Sequence, residues 1–247
     1  MHELATPPVW HRNGDALPGL TVVLPCLDEA ENLPDAVGCA VEAAGWCAEA
    51  FEVVVVDDGS SDPSAVVARR LAARDARVRV VVHGEHRGYG AAVRSGLAAA
   101  RMPWVLVLDA DLQFDVGELR EFLGQAGSAD LLIGRRRVTQ GPVIRRAGNA
   151  LWNRVLRAAL HLPVHDAECG FRLIRTELAG RLDLRAAGPL VGAELVVRCR
   201  AAGARVAEVP VRHRVRVAGR GTGVGARVSA RTVRELFELR RWRGSWR

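Results

Sequence analysis

The 247-residue sequence contains no lysine, and this absence excludes one common kind of phosphate site. A GxxxxGK[ST] phosphate loop needs a lysine to reach the terminal phosphates, so nucleotide binding of that kind is excluded. The sequence also lacks a run of the roughly 18 to 20 apolar residues that a membrane-spanning helix needs, and its N-terminal stretch has no apolar signal-peptide core. These absences predict a cytoplasmic protein.

Cysteine is scarce, and the five cysteines are scattered without a CxxC pair. Their odd number argues against a disulfide framework, and the missing CxxC spacing argues against a structural zinc site. The GxGxxG fingerprint of a Rossmann dinucleotide site is absent as well. We expect all five cysteines to be reduced packing residues, which leaves acidic residues and arginines to carry the chemistry.

Most of the positive charge lies near the C-terminus. The net charge of the chain is +7, but residues 201–247 contain twelve arginines and three glutamates, so that residues 1–200 carry a net charge of −2. A basic surplus predicts an anionic partner, either a nucleic acid or a membrane surface. We do not expect nucleic acid as the partner, because the acidic loops described below would repel its phosphates.

Short β-branched segments alternate with alanine- and leucine-rich helical segments through the first 140 residues. This rhythm predicts an α/β fold with a doubly wound, mostly parallel sheet, in which the site lies at the carboxyl edge. We expect a flexible leader over residues 1–19 and a single domain over residues 20–225. The predicted strands cover residues 20–25, 51–57, 77–83, 104–109 and 130–134, followed by helices near 148–162 and 193–202 and strands within 166–174 and 204–215.

Acidic or glycine-rich residues follow each of the first four predicted strands. Asp109 and Asp111 are one residue apart, so on an extended backbone their carboxylates point the same way and could bind one hard cation, with Gln113 continuing that face. Each aspartate alone is also explained by capping of a turn or helix. Four such loops at one edge favour a ligand site. The other residues of these loops are Asp28, Glu29, Asp57, Asp58, Gly88 and Gly90, and the two glycines would let backbone approach a ligand.

Six segments carry a family resemblance by their order along the chain: "VVLPCLDEAENLPDAV", "VVVVDDGSSD", "HRGYGAAVRSGLAAA", "VLVLDADLQFD", "DAECGFRLIR" and "AEVPVRHRVRVAGR". Together they resemble the inverting family 2 glycosyltransferases with a Rossmann-like GT-A fold, closest to the branch of dolichyl-phosphate mannose and glucose synthases. The resemblance covers about residues 20–225. It implies a nucleotide-diphosphate sugar as donor (GDP-mannose or UDP-glucose), Mg²⁺ or Mn²⁺ on the DxD pair, and a polyprenyl phosphate as acceptor.

The resemblance also implies roles for individual residues. The metal would be held by Asp109, Asp111 and Gln113, with Asp111 as the direct ligand. The chain departs from the family pattern at Asp28 and His86, where asparagine is usual, and at "GRGTG", where Ser-Lys is usual. The donor would contact Pro25, Asp28, Glu29, Asp57, Gly88, Asp109, His213, Arg214 and Arg220. The acceptor phosphate would contact Arg135, Arg145 or Arg146, and Arg172, and the catalytic set would be Asp111, Arg135, Asp166 and Arg172.

The chemistry of the acceptor decides whether the site needs a general base. A phosphate monoester is largely dianionic at neutral pH, so it needs positive charge and no base. A soluble acceptor with a hydroxyl group is the alternative, and it would require a base. Asp166, Glu168 and Glu194 are the candidates; the first two are also explained by turn chemistry and Glu194 by a solvated helix position.

Residues 226–247 predict a basic amphipathic helix. Val233, Leu236, Phe237, Leu239, Trp242 and Trp246 recur at helical spacing among arginines, which suits peripheral contact with an anionic membrane. A helix packed on the domain, or a frayed terminus, is the alternative interpretation. The helix around Trp152 and Leu156 could also meet lipid, or pack into the core.

Overall fold

The computed structural model describes residues 16–139, 143–214 and 230–244. Its first half is a repeated strand–helix unit. The strands are rich in valine and almost entirely buried, because helices cover both faces of the sheet. The elements of this half are β1 (Leu20–Cys26), α1 (Leu33–Cys47), β2 (Phe51–Asp57), α2 (Ser64–Arg74), β3 (Val78–Val82), α3 (Tyr89–Ala99) and β4 (Trp104–Val107).

The second half completes the sheet and adds the remaining helices. A short 3₁₀ turn at Val116–Glu118 leads into it. Its elements are α4 (Leu119–Ala126), β5 (Leu131–Thr139), α5 (Val143–Leu160), β6 (Arg172–Arg175), α6 (Thr176–Gly180), α7 (Val191–Ala201), β7 (Val206–His213) and α8 (Ala230–Gly244).

The described strands form one seven-stranded sheet in the order β3-β2-β1-β4-β6-β5-β7. All neighbours are parallel except β6, which runs antiparallel to both β4 and β5. The chain proceeds outward from β1 to β3 and then returns to the other side of β1 with β4. The order therefore reverses between β1 and β4, and open α/β sheets bind ligands at such a switch point. The predicted α/β class with a doubly wound, mostly parallel sheet is confirmed.

The sheet edges and ends differ in detail from the predicted boundaries. Leu17 is buried and its N–H donates to the carbonyl of Cys47 at 2.9 Å, so the domain begins a few residues before position 20. The short antiparallel strand β6 was expected only as part of a turn and strand, without its direction. Residues 1–15 of the predicted leader lie outside the described residues.

Helix α8 packs on the domain. Leu239 is buried in the core, and Leu236 and Trp242 pack against the core. The guanidinium of Arg198 on α7 lies 4.2 Å from the centroid of the Trp242 ring, which adds a cation–π contact. Of the two interpretations of the C-terminal segment, packing on the domain is therefore observed for this face of the helix. None of the helices in the described ranges is long and apolar enough to cross a bilayer.

Candidate active site

The loop after β1 is tied to the loop after β2 by Asp28. Its backbone φ is +55°, a left-handed conformation that aspartate and asparagine tolerate better than most residues. One carboxylate oxygen, Oδ1, accepts hydrogen bonds from the N–H groups of Ser61 and Asp62 at 2.7 and 3.2 Å. The conformation and the acceptor oxygen explain why Asp28 can occupy a position where the resembling family usually has asparagine.

Glu29 and Pro25 lie below this loop. The N–H of Glu29 donates to Ser64 Oγ at 2.9 Å, and its carboxylate accepts from Asn32 Nδ2 at 2.6 Å. Pro25 pairs with Val56 in the sheet. Both residues thus help to fix the switch point, whatever contact they make with a ligand.

Asp57 and Asp58 end β2 side by side, and both are buried. Asp57 accepts a long hydrogen bond from the N–H of Ser60 at 3.4 Å. Asp58 accepts from the N–H of Gly88 at 2.8 Å and lies 2.6 Å from Nδ1 of the buried His83. Asp58 therefore shapes the loop that precedes α3. Sequence analysis gave a role only to Asp57; the doubled aspartate of "VDDG" was the available signal for the second one.

The two glycines at the start of α3 make close contact with another loop. A Cβ on Gly88 would lie 2.4 Å from the carbonyl oxygen of Ala187, and one on Gly90 would lie 2.2 Å from that of Ala186. The N–H of Gly90 donates to the Ala187 carbonyl at 2.8 Å. The expectation that these glycines leave space for a ligand is wrong in this structure, because the segment before α7 already fills that space.

Asp109 and Asp111 lie in a turn beyond β4. The strand ends at Val107, and Leu112 has a φ of +58°, so the expectation of an extended backbone through both aspartates is wrong. The carboxylate of Asp111 accepts from the N–H of Gln113 at 3.1 Å, which stabilises the turn. The turn still presents both residues at the carboxyl edge beside β1.

Asp109 is held by a tyrosine and an arginine that sequence analysis did not connect to it. The hydroxyl of Tyr89 donates to Asp109 Oδ1 at 2.7 Å. Arg172 Nη1 in turn donates to the Tyr89 oxygen at 3.3 Å. Burial and the neighbouring Asp109 carboxylate raise the pKa of Tyr89, so its hydroxyl stays protonated and remains a donor. Gly170 makes room for Asp109, since a Cβ there would lie 2.0 Å from Oδ2.

Arg172 is buried, with 1% of its surface exposed. Its Nε has no hydrogen-bond partner within the described part of the chain. The prediction that Arg172 contacts the acceptor phosphate directly does not fit this position, because the guanidinium lies under Tyr89 and Asp109. It is placed to hold the DxD turn from below.

The end of β7 is joined to the DxD turn. Gln113 Nε2 donates to the carbonyl of Arg214 at 3.1 Å, and the N–H of Arg214 donates to the carbonyl of Gln113 at 2.7 Å. The ring of His213 packs edge-on against Phe114, with 5.1 Å between centroids. His213 and Arg214 are thus beside the predicted metal residues, as a donor-binding role requires. Arg220 lies outside the described residues.

Arg135 and Arg136 lie within β5, because this strand continues past the predicted end at residue 134, and their environments differ. Arg135 is exposed and makes no ion pair within the described residues. Arg136 forms a two-point ion pair with Asp166, whose oxygens lie 2.6 Å from Nε and 2.7 Å from Nη2. Of the two predicted phosphate-binding arginines whose side chains are described, Arg135 is exposed and Arg172 is buried. The side chains of Arg145 and Arg146 lie outside the described residues.

The three carboxylates proposed as general bases are clearly distinguished by the structure. Asp166 is ion-paired with Arg136, and its Oδ1 accepts a hydrogen bond from Asn153 Nδ2 at 3.2 Å. These partners leave its carboxylate poorly placed to take a proton. Glu194 is 3% exposed and accepts from Arg198 Nε at 2.7 Å, so the solvated helix position is wrong and a catalytic role does not fit.

Glu168 is the remaining candidate. Burial raises its pKa to about 7, against the lowering effect of Arg172 and Arg136. Its Oε1 is buried and has no partner within the described residues. A carboxyl with a pKa near neutrality can exchange a proton at physiological pH.

Few side chains in the described ranges could bind a metal ion. Within the described ranges, no three histidine, cysteine, aspartate or glutamate side chains converge to hold an ion. Mg²⁺ is commonly bound by one or two carboxylates together with substrate phosphates and water, so a single well-placed aspartate fits that chemistry. Asp109 and Asp111 each accept a hydrogen bond from the protein, from Tyr89 and from the N–H of Gln113, and a carboxylate has further lone pairs that can bind an ion.

Comparison with known proteins identifies the family. The sequence model described as Glycosyl transferase family 2 matches residues 21–182. An uncharacterized glycosyltransferase from Mycobacterium tuberculosis is 40% identical over 220 residues, covering 86% of this chain and 92% of that protein. A dolichyl-phosphate hexose transferase from Haloferax volcanii is 30% identical over 189 residues, covering 75% of this chain and 80% of that protein.

Solved structures show the same fold. Glucosyl-3-phosphoglycerate synthase from Mycobacterium tuberculosis, solved with UDP, superposes with a TM-score of 0.67 and 20% identity over 96% of this chain and 87% of that chain. The same enzyme with Mn²⁺ and UDP-glucose gives a TM-score of 0.64 and 21% identity over 91% of this chain and 76% of that chain. The chain therefore belongs to glycosyl transferase family 2 and is a glycosyltransferase with the GT-A fold.

Proposed function

We propose that the protein transfers a hexose, mannose or glucose, from a nucleotide-diphosphate sugar to a polyprenyl phosphate, with inversion at the anomeric carbon. One observation carries the proposal: the Asp111 turn and the exposed Arg135 lie at the same edge of the sheet. Val107 at the end of β4 and Ile133 in β5 both pair with Arg172 of β6, which lies between them, so these two positions are about 10 Å apart. A sugar diphosphate spans that distance, with its leaving group at one end and the acceptor phosphate at the other.

The charges at this edge suit a phosphate acceptor. A dianionic phosphate attacks without a base, provided that positive charge holds it in line with the anomeric carbon. Arg135 is open to solvent and can bind two phosphate oxygens through its planar guanidinium. The ion pair of Arg136 with Asp166 keeps the neighbouring arginine away from solvent and fixes the end of β5.

Mg²⁺ or Mn²⁺ held by Asp111, with Asp109 and Gln113 beside it, would neutralise charge on the departing nucleoside diphosphate. Tyr89 and Arg172 keep Asp109 oriented from below the turn. His213 and Arg214, joined to the turn through Gln113, supply basic groups beside the diphosphate. Asp28, Glu29 and Asp57 border the nucleotide end of the cleft at β1 and β2.

The relatives support each part of this proposal to a different extent. The Haloferax protein is named a dolichyl-phosphate hexose transferase, which favours a lipid phosphate as acceptor. The solved neighbours hold UDP, or UDP-glucose with Mn²⁺, which favours a nucleotide-sugar donor and a divalent ion. The same neighbours are named for a soluble acceptor, phosphoglycerate, so the lipid remains the part that experiment must test.

The test is mass spectrometry of lipid products after incubation with a polyprenyl phosphate, Mg²⁺ or Mn²⁺, and separately GDP-mannose or UDP-glucose. We expect a lipid-phosphate-hexose ion with one donor. Asp111→Asn should lower the rate at least a hundredfold, on the order of one lost electrostatic contact to the leaving group. Asp183→Asn is the matched control, because its carboxylate pairs only with the exposed Arg185. Normal activity of Asp111→Asn would contradict the metal assignment.

A soluble acceptor with a hydroxyl group is the second candidate, and Glu168 favours it. Its pKa of about 7 suits a general base, and its buried Oε1 makes no hydrogen bond within the described residues. Glu168→Gln should abolish transfer to a hydroxyl acceptor and leave transfer to a phosphate acceptor largely intact. Donor hydrolysis without a lipid product, lost in Glu168→Gln, would therefore favour the second candidate over the first.

A further inference from the structure

The described part of the chain has seven large apolar side chains that are exposed, and four of them lie on α5 and α8. Leu151 and Val155 on α5 are 62% and 42% exposed. Phe237 and Val233 on α8 are 61% and 38% exposed. Each pair is spaced by four residues, so its members share one face of their helix. The two helices contact each other.

The sequence pattern included the two outward residues of α8, but on α5 it named other residues than the outward ones. Leu156 on α5 is fully buried and Trp152 packs against the core. On α8, Leu239 is buried, and Leu236 and Trp242 also face the domain. The inner apolar faces of the two helices therefore pack against the core. The outer pairs form a separate surface that packing within the domain does not explain.

Arginines surround the outer pairs. α5 contains four arginines and no acidic residue, and α8 contains five arginines and two glutamates. Arg154, Arg234 and Arg241 are exposed and lie within four residues of an outward apolar side chain. Outside α5, residues 1–200 contain 19 arginines and 25 acidic residues, a net charge of −6. Positive charge is thus concentrated where the exposed apolar side chains are.

We infer that the outer faces of α5 and α8 together dock the enzyme on an anionic lipid surface. Apolar side chains on a helix that lies in the membrane plane enter the interface while arginines meet the anionic headgroups. A second copy of the chain fits poorly, because two arginine-rich faces repel each other. Nucleic acid fits poorly as well, because three of the four outward side chains are aliphatic and cannot stack on bases as Phe237 could.

The inference rests on the proposed function and adds the position of the membrane relative to the cleft. Asn153 on the opposite side of α5 donates to Asp166, which is paired with Arg136 at the end of β5. One helix therefore connects the lipid-facing surface with the acceptor end of the cleft. A polyprenyl phosphate in the same membrane would have its headgroup presented next to that end.

The test is cosedimentation of the full chain with vesicles of phosphatidylcholine, with and without 30% phosphatidylglycerol. Leu151→Gln/Phe237→Gln should weaken binding by about tenfold, because two apolar contacts with the interface are lost. Arg234→Gln/Arg241→Gln should weaken binding to the anionic vesicles at least roughly tenfold and leave the weak binding to neutral vesicles unchanged. Val66→Gln on α2, 45% exposed, and Arg69→Gln/Arg70→Gln are the matched controls and should bind normally.

Other outcomes would overturn the inference. The first is equal vesicle binding by the surface variants and the controls. The second is a protein that does not bind vesicles but forms a concentration-dependent dimer, which the Leu151→Gln/Phe237→Gln change abolishes. The third is a complex with DNA or RNA that survives 0.15 M salt. Transfer to detergent-dispersed polyprenyl phosphate separates the two proposals. Docking without any transfer overturns the proposed acceptor, whereas transfer in detergent without docking overturns the surface.

Discussion

At the scale of single residues, hydrogen-bonded acids do most of the positioning at this site. Asp58 accepts from Gly88 and lies beside His83, Asp28 holds the β2 loop, and Asp166 holds Arg136. Each carboxylate accepts two or more donors, and for the buried Asp58 and Asp166 this is how a charge is stabilised in a protein interior. The acids that sequence analysis assigned to ligands therefore also build the cleft, and a substitution at any of them changes both shape and charge.

Glu168 gives a pH dependence of stability that can be measured. Its folded pKa of about 7 lies above the usual 4.5, so the folded state holds a proton that the unfolded state has released. The free energy of unfolding should therefore fall as pH rises from about 4.5 to 7 and change no further above pH 7, by on the order of 2–3 kcal/mol.

Glu168→Gln removes this contribution. Its stability relative to the unsubstituted protein should increase from pH 4.5 to 7 in urea unfolding and then level off. Glu177→Gln, at an exposed carboxylate, should run parallel to the unsubstituted protein at every pH. A Glu168→Gln curve that is also parallel would mean that this carboxyl has an ordinary pKa.

At the scale of elements, the start of α3 depends on its contact with the segment before α7. Alanine at Gly90 would bring a Cβ within 2.2 Å of the Ala186 carbonyl oxygen, which is backbone and cannot rotate away. Gly90→Ala should therefore destabilise the fold by about 1–3 kcal/mol, as overpacking does. It should also raise the KM for the donor, because Asp58 binds the loop that leads into this helix.

The control for this prediction lies in α1. A Cβ on Gly38 meets nothing within 4 Å, so Gly38→Ala should gain up to about 1 kcal/mol from helix propensity alone. Urea unfolding of both variants measures the difference. If Gly90→Ala is as stable as Gly38→Ala, the start of α3 and the segment before α7 can move apart freely, and the prediction is wrong.

At the scale of the whole molecule, α8 belongs to the folded unit. Leu239 is 5% exposed within the same core as the sheet. Leu239→Ala should lower the Tm of the single unfolding transition by several degrees, corresponding to about 2–4 kcal/mol. Val233→Ala, on the exposed face, should leave the Tm unchanged. A normal main transition with early loss of helical signal in Leu239→Ala would instead show that α8 unfolds independently.

The sequence predicted the sheet well where periodicity is strong. The valine-rich runs of β1 and β2 were located almost to the residue, and so was the edge at which the acids lie. The direction of β6 was not predictable, because a four-residue buried strand has the same pattern in either orientation. The burial of Glu194 and Arg172 was also missed, because Glu194 accepts from backbone N–H groups of the segment before its helix and Arg172 donates to Tyr89 on another helix.

Tyr89 is the only tyrosine in the chain, and it lies directly beneath the DxD turn, bonded to Asp109. Biosynthetic replacement with a fluorinated tyrosine would therefore place a single fluorine label at the site without ambiguity of assignment. One resonance would then report on donor, metal and acceptor binding separately, by titration in solution. The scarcity of an amino acid thus supplies a spectroscopic probe at the position where the chemistry is proposed.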